Sequence, residues 1–538
     1  MNDEVLNQAP PLTGYNLFAT DRVLREAVAR EGAGWSCAAL EEFGGKAGSA
    51  EAMEWGGQAN EYPPVLQTHD RYGRRRDEVE FHPAWHNLMR LAVEHGIQSS
   101  PWAHARAGAH VARAALAMLA SENEAGHVCP ISMTYAAVPV LRQNAAIAEE
   151  WTPRVFSTVY DTAFRPVTEK RGALIGMAMT EKQGGSDVRA NVTRAEPASE
   201  GAYALTGHKW FCSAPMSDAF LVLAQAPRGL SCFLLPRWMP DGKRNAFHLQ
   251  RLKAKMGNRS NASSEVEFQG AWARLIGEEG RGIATIMEMV HHTRLDCVIG
   301  SAALMRRAVV EAFHHARHRH AFGRALIRQP LMRNVLADMA LESAAATMLA
   351  MRLARAFDEG DRAFARLAVA VGKFWVSKRA APLAAEALEC LGGNGFVEQS
   401  MMPRLYREAP LNSIWEGSGN VMALDVLRAI SKEPAALERV LAEIRLARDA
   451  RIERLVAGIH QNAAESGARR VAESLALGLQ ASLMVRFGQR AFADAFCASR
   501  LEGDWGHTFG SLPEGCDIDA VMAAGEAELP EVTESAGT

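Results

Sequence analysis

"GALIGMAMTEKQGGSD" runs from Gly172 to Asp187, and the chain changes texture there. Upstream, from Asp21 to about Arg165, alanines and leucines recur at helical spacing, as in "GAHVARAALAMLASENEAGH". Loop signals such as "EYPPVLQTHDRYGRRRD" interrupt that pattern. From Gly172 to about Leu275 the text becomes short apolar runs bounded by Gly, Pro, Asn, Asp or Ser: "YALTGHKWFCSAP", "AFLVLAQAPRGLSCFLLPR", "SSEVEFQGAWARLIG". These read as strands. From Gly282 to Ser431 amphipathic helix returns, and the last hundred residues are helical before turning polar and acidic after Leu501. A helix–strand–helix order means domains of separate type, an α+β chain, rather than alternating βαβ units.

The chain has 538 residues, too many for one hydrophobic core, so about three or four domains are expected. A net charge of -3 offers nucleic acid no bulk attraction, so any such binding needs a local patch. Eight scattered cysteines without a C-x-x-C pair suit a reducing cytoplasm and exclude a disulfide framework. The N-terminal "MNDEVLNQAPPL" carries acids where a signal peptide needs lysines, and no apolar run reaches membrane-spanning length. A soluble cytoplasmic protein with no membrane partner is therefore expected. No G-x-G-x-x-G follows a strand, which argues against a nicotinamide site. His314, His315, His318 and His320 lack acids or cysteines at ligand spacing, so no metal is expected.

Five stretches have residue types suited to chemistry. In "MTEKQGGSD", Gly184 and Gly185 allow close backbone approach, and Thr180, Ser186 and backbone amides suit a flat heterocycle or a pyrophosphate; a polar loop with a tight turn is the simpler reading of the residues alone. In "GHKWFCSAP", Trp210 and Phe211 lie beside Ser213, either one wall of a flavin pocket or an ordinary half-buried strand. "RHRHAFG" sets Arg317 and Arg319 near Phe322, a phosphate fork or a solvated basic face. "ECLGGNGF" ends a helix on Gly392 and Gly393, a C-cap or a backbone that meets a cofactor. Finally, "NSIWEGSGN" seats Glu416 between Trp415 and three small residues. Desolvation there raises a carboxylate's pKa and suits a base that removes a proton α to a thioester carbonyl; an ion pair with Arg404 or Arg407 is the structural alternative.

These stretches occur in one order, with "PRLYRE" between the last two, and the chain resembles the acyl-CoA dehydrogenase family. It is most similar to the AidB-like adaptive-response flavoprotein branch, through "CPISMTYAA", "TEKQGGSDVRANVT", "GLSCFLLPR", "GNRSNASSEVEF" and "NSIWEGSGNVM". The resemblance implies a helical N-terminal domain over 1–170, a β-barrel over 171–275, a helical bundle over 276–430, and an extra helical C-terminal domain with an acidic tail over 431–538. It implies FAD and a homotetramer. Met177, Met179, Thr180, Gly184, Gly185, Ser186, Phe211 and Ser213 look like the barrel's flavin contacts. Trp415, Gly417, Ser418 and Asn420 belong to the segment that crosses the ring, and Glu416 matches a family position for the α-proton base. Arg319, Phe322, Gly392 and Gly393 look like contacts to the cofactor's phosphate and adenosine parts, across a subunit boundary in such an assembly. Two departures stand out: Gln183 where members carry proline, and Phe211 where they carry tryptophan, with Trp210 one residue early.

The branch also implies binding of double-stranded DNA through a basic C-terminal region, protection from alkylation, and weak or residual dehydrogenase activity. Residues 431–500 hold 11 basic and 8 acidic side chains, and 501–538 hold nine acids with no Lys or Arg. Arg445, Arg448, Arg451 and Arg454 recur every three residues, as if round one helix side, and Arg428 and Lys432, one turn apart, extend the set; ion pairs such as Arg445–Asp449 explain it otherwise. An acidic tail folded over these cations would mask them. The alternative is a genuine dehydrogenase of a short or branched acyl-CoA, or a protein acting on another small electrophile, with Glu416 as base and hydride transfer to FAD.

Overall fold

The computed structural model describes residues 6–459 and 464–529. The first five residues of the N-terminal reading, and Glu531 and Glu534 of the tail, lie outside the described residues. Two units emerge: Glu54–Ala109 with Glu124–Asp296, and Met1–Met53 with His110–Asn123 and Cys297–Thr538.

The first unit is built on strands β1 (Val65–His69), β2 (Arg75–Glu80), β3 (Ile175–Ala178), β4 (Arg194–Pro197), β5 (Ala202–Ser213), β6 (Ala219–Ala226), β7 (Gly229–Pro236), β8 (Phe247–Leu252) and β9 (Ser263–Ile276). The apolar runs of β6 and β7 are buried along most of their length and pair as a hairpin closed at Ala226 and Gly229. β6 also pairs with β4, β4 with β5, β5 with β9, and β9 with β7. Five strands thus close into a ring that leaves none of them an open edge, with β3 added parallel to β6 and β8 antiparallel to β9. Its interior is filled by Leu205, Phe220, Phe233, Phe247 and Phe268.

"EYPPVLQTHDRYGRRRD", expected as loop, holds the β1–β2 hairpin instead. Asp70 closes the turn by accepting from the Tyr72 and Arg74 amides at 2.8 and 2.9 Å. Asp77 accepts from the Leu249 amide at 2.9 Å and from the Arg75 guanidinium, which docks the hairpin on β8. That partner lies far along the chain, so the local text held no sign of it.

In the second unit two alanine-rich 29-residue helices, Pro330–Asp358 and Arg362–Cys390, are joined by a turn at Gly360 (φ +63°). Asp361 caps the second by accepting from the Phe364 amide at 3.0 Å. Helices Gly419–Lys432, Pro434–Arg445 and Ala468–Phe487 pack against Arg362–Cys390. The polar stretch after Leu501 packs on this unit as far as residue 529: buried Asp338 binds Arg500, the Trp505 indole at 3.0 Å and the Gly510 amide at 2.9 Å, and the helix Ile518–Gly525 packs on Pro330–Asp358. Among the described residues, no helix is long and apolar enough to cross a membrane.

Candidate active site

The barrel unit carries the first group of predicted residues. β3 leads out through Met177 to Met179 and Thr180, and the Thr180 carbonyl accepts from the Trp210 amide of β5 at 2.8 Å. A Cβ at Gly185 would sit 2.4 Å from the Thr180 hydroxyl oxygen, so any side chain there would displace Thr180. Gly184, at φ +121°, has nothing within 4 Å of where a Cβ would lie, and Ser186 is exposed. The loop is pinned by Glu181, whose neighbour across the strand is Lys209; both side chains are 0% exposed and their charges lie 2.8 Å apart. Burial alone would raise the Glu181 carboxyl, but the Lys209 ammonium, Thr193 and the Val192 amide hold it at about 2. Gln183, in the place of the expected proline, bonds Asn191 Oδ1 at 3.2 Å and the Ala190 carbonyl at 3.3 Å, and so ties the loop across its own width.

The displaced tryptophan has a structural cause. The β5–β9 register slips between Lys209 and Cys212, both of which are buried, so Trp210 and Phe211 are the two residues left outside. Such a bulge re-aims side chains. Trp210 receives the Lys253 ammonium 3.3 Å from its ring centroid, whereas Phe211 is 49% exposed. Ser213 shares a 3.1 Å hydroxyl contact with Ser263.

In the helical unit, Leu411–Ser413 forms a single turn, and the Trp415 indole donates to Asn412 Oδ1 at 2.9 Å. Glu416, half-buried, stands at φ +58° and Gly417 at φ +109°, two consecutive left-handed residues before Ser418 starts the helix Gly419–Lys432. A left-handed glutamate is costly unless its surroundings enforce it. Lys373, 1% exposed on the helix Arg362–Cys390, donates its ammonium to the Gly417 carbonyl. Gly419 lies so close to Lys378 that a Cβ would be 2.6 Å from its chain. Arg407, one proposed partner for Glu416, is engaged by Glu398 at 2.6 and 3.0 Å. Asn420 is exposed.

Arg319, Phe322, Gly392 and Gly393 also lie in this unit, and a segment overlooked in the sequence draws them together. Asn7 accepts from the His320 amide at 2.7 Å and donates to its carbonyl at 2.9 Å, while its own carbonyl takes the Arg319 guanidinium. The next residue, Gln8, accepts from the Asn394 amide group at 2.8 Å. Phe322 is 97% exposed, and nothing lies within 4 Å of a Cβ built on Gly392 or Gly393.

The basic series corrects the sequence reading. Arg445 ends one helix, Arg448 stands in the following turn at φ +51°, and Arg451 and Arg454 lie on the helix Ala450–Ala457, so the four share no helix side. Arg451 pairs with Asp449 and Asp494, Arg454 with Glu502, and Arg445 with Glu453 rather than Asp449. Arg428 and Lys432 are exposed on the helix Gly419–Lys432, with Asp425 3.8 Å from Arg428. Among the described residues, the tail reaches only part of the set: beyond Glu502, its Asp519, Glu526 and Glu528 pair with Arg333, Arg317 and Arg25.

Bare glycine backbone, exposed aromatic faces, hydroxyls and a guanidinium are the groups that hold a flavin dinucleotide, and the comparisons agree with that class. The adaptive response protein AidB N-terminal domain matches residues 7–162, the acyl-CoA dehydrogenase middle domain 176–271, and the acyl-CoA dehydrogenase C-terminal domain 280–431. The chain belongs to the acyl-CoA dehydrogenase family of FAD-dependent oxidoreductases. Within it the chain is AidB-like: it is 49% identical to AidB of Escherichia coli (strain K12) over 93% of this chain and 94% of that one. It is also 31% identical to acyl-CoA dehydrogenase family member 11 of Caenorhabditis elegans, over 76% of this chain and 69% of the relative. The solved structure of Caenorhabditis elegans ACDH-11 in complex with C11-CoA matches with a TM-score of 0.84 at 27% identity, over 93% of each chain.

Among the described residues, Lys209, Lys373, Asn7 and Gln8 escaped the sequence reading. Only Lys209 left a signal: a lysine facing the buried side of a strand requires an acid, and Glu181 was the motif acid at hand.

Proposed function

We propose that the protein oxidises the acyl chain of a coenzyme A thioester, with Glu416 as the base. The observation that carries this reading is the Glu416 turn: a half-buried carboxylate on left-handed backbone, pinned by Lys373 on one side and by the Trp415–Asn412 bond on the other. The C11-CoA complex of the Caenorhabditis elegans relative supports an acyl-CoA substrate. FAD, when bound, supplies the hydride acceptor for the β-carbon. Glu416 takes the α-proton, and the electron pair of that C–H bond becomes the Cα–Cβ double bond. Thr180, Ser186, Phe211 and Ser213 are the barrel's flavin contacts in this reading, and Gly417 and Ser418 belong to the segment that crosses the flavin. Met177, Met179, Gly184, Gly185 and Asn420 border it, while Arg319, Phe322, Gly392 and Gly393 take its phosphate and adenosine end. Anaerobic titration with acyl-CoA thioesters of increasing length tests the reading: one of them bleaches the flavin absorbance. A flavin-loaded protein that no thioester bleaches sinks it.

A second activity has its own observation. Lys432 and Arg448 are exposed and have no acidic partner among the described residues, and Arg428 stands one turn from Lys432. These cations suit the phosphates of double-stranded DNA, and binding there would shield DNA from alkylation. A gel-retardation series in rising salt, with a parallel assay of methylation damage, tests this. Exposed Phe322 (97%), Leu331 (83%) and Phe396 (80%) favour burial between copies, as in a homotetramer; the scattered cysteines suit a cytoplasmic protein, and the changes of texture along the chain suit a division at 1–170, 171–275, 276–430 and 431–538. Light scattering of the purified protein checks the stoichiometry, and limited proteolysis checks the division.

A further inference from the structure

We infer that Asn7 and Gln8 are positioning residues for the phosphate-and-adenosine end of FAD, forming a clasp that sets two distant loops in one arrangement. The inference rests on the reading above that Arg319, Gly392 and Gly393 hold that end.

The clasp is made of specific bonds rather than proximity. The Asn7 side-chain amide pairs with both the N–H and the C=O of His320, at 2.7 and 2.9 Å, as a peptide group would on a strand edge. Its carbonyl takes one N–H of Arg319. Asn7 does this from φ +57°, a conformation that asparagine tolerates better than most residues. Consecutive Cα atoms are about 3.8 Å apart, so the bond from Asn394 to Gln8, at 2.8 Å, brings the Gly392–Gly393 loop to the Arg319 loop. Further along, His314 Nε2 meets the Pro10 carbonyl at 2.8 Å, and Arg307 donates to the Leu12 carbonyl at 3.2 Å, so the arm is laid down along the helix Gly282–His318.

The physical consequence is preorganisation. An arginine free in solvent loses rotamer freedom when it binds phosphate. Arg319 has one N–H already held by Asn7 and keeps its other donors for a phosphate. Ordering a side chain before the ligand arrives reduces the entropy lost on binding. The Asn394 anchor does the same for a loop whose glycines have no side chains to fix them.

The test measures FAD, ADP and FMN binding to the full-length protein and to the Asn7→Ala/Gln8→Ala variant. We expect about tenfold weaker FAD and ADP binding, equal to about 1.4 kcal/mol, with FMN affinity and the thermal midpoint unchanged. ADP carries only the end that the clasp serves, and FMN lacks the adenosine. Unchanged FAD and ADP affinity overturns the inference, and so does an equal loss for FAD and FMN, which would mean general loosening. Arg319→Ala separates the two levels. If Arg319→Ala weakens FAD and ADP while the double variant does not, the clasp fails and the subsite stands. If Arg319→Ala also leaves both unchanged, the subsite reading fails and the clasp goes with it.

Discussion

Two motif glutamates, Glu181 in "TEKQGG" and Glu416 in "WEGSG", meet opposite surroundings. Glu181 is fully buried, faces the Lys209 ammonium at 2.8 Å, and accepts from the Val192 and Thr193 amides at 2.7 and 3.2 Å. So many donors stabilise the carboxylate and hold it at about 2, which makes it a poor proton acceptor near neutral pH. Glu416 is only half-buried, and its constraint lies in the backbone: a left-handed residue followed by a left-handed glycine, with Lys373 gripping the carbonyl of the latter. In one region the protein clamps the carboxylate, and in the other it clamps the peptide that carries the carboxylate. Clamping the charge makes a structural acid; clamping the peptide fixes where the carboxylate stands.

The comparison can be broken at several points. The largest effect is expected from Glu416→Gln: turnover with an acyl-CoA falls about 10²- to 10⁴-fold while the flavin spectrum is kept. Turnover within threefold of the parent would remove Glu416 from the chemistry. Glu181→Gln should act on stability instead, since it leaves the Lys209 charge buried and unpaired, at a cost of about 3–5 kcal/mol in denaturant unfolding. Adding Lys209→Met to that variant should recover most of the loss; no recovery would mean that the loop, not the charge, is what Glu181 supports.

Lys373→Met should lower kcat about tenfold with little change in KM, and Lys373→Arg should restore part of it, because a charged donor to the Gly417 carbonyl contributes about 1.5–3 kcal/mol. A KM change alone would count against a role in setting the turn. The acid limb of stability sharpens the contrast further. The folded Glu181 value lies below the ordinary carboxylate value of about 4.3, so its stabilisation is complete above that pH and is lost as pH falls toward about 2. The thermal midpoint of Glu181→Gln should therefore decline less steeply over that window than the parent's. The smallest effect concerns the proposed DNA surface: Arg448→Ala should reduce the slope of log affinity against log salt by about 1, and an unchanged slope would remove Arg448 from the proposed contact.

Much of this was legible from local text. The change at Gly172 from helical spacing to bounded apolar runs foretold the strands, because burial periodicity is written residue by residue. Gly184 was legible as a turn glycine, and it stands at φ +121°. The β1–β2 hairpin was not, since Asp77 finds its partners on β8. The Trp210–Phe211 pair, the first partly buried and the second exposed, was not, because a register slip against β9 decides which side chains face outward. Arg445, Arg448, Arg451 and Arg454 misled for a related reason: their regular spacing crosses a turn and two helices, and acids distant in sequence pair with Arg451 and Arg454.

By itself, the sequence determined the α+β class, the order of helical and strand segments, and the motifs that carry the family's chemistry. These depend on side-chain type and on spacing within a few residues, which the chain states directly. Only the tertiary structure decided which motif acid is clamped, which aromatic faces outward, and which backbone turn is held by a buried lysine. Each of those outcomes depends on a partner tens of residues away, and hydrogen bonds and ion pairs act over a few ångströms of space whatever their separation along the chain.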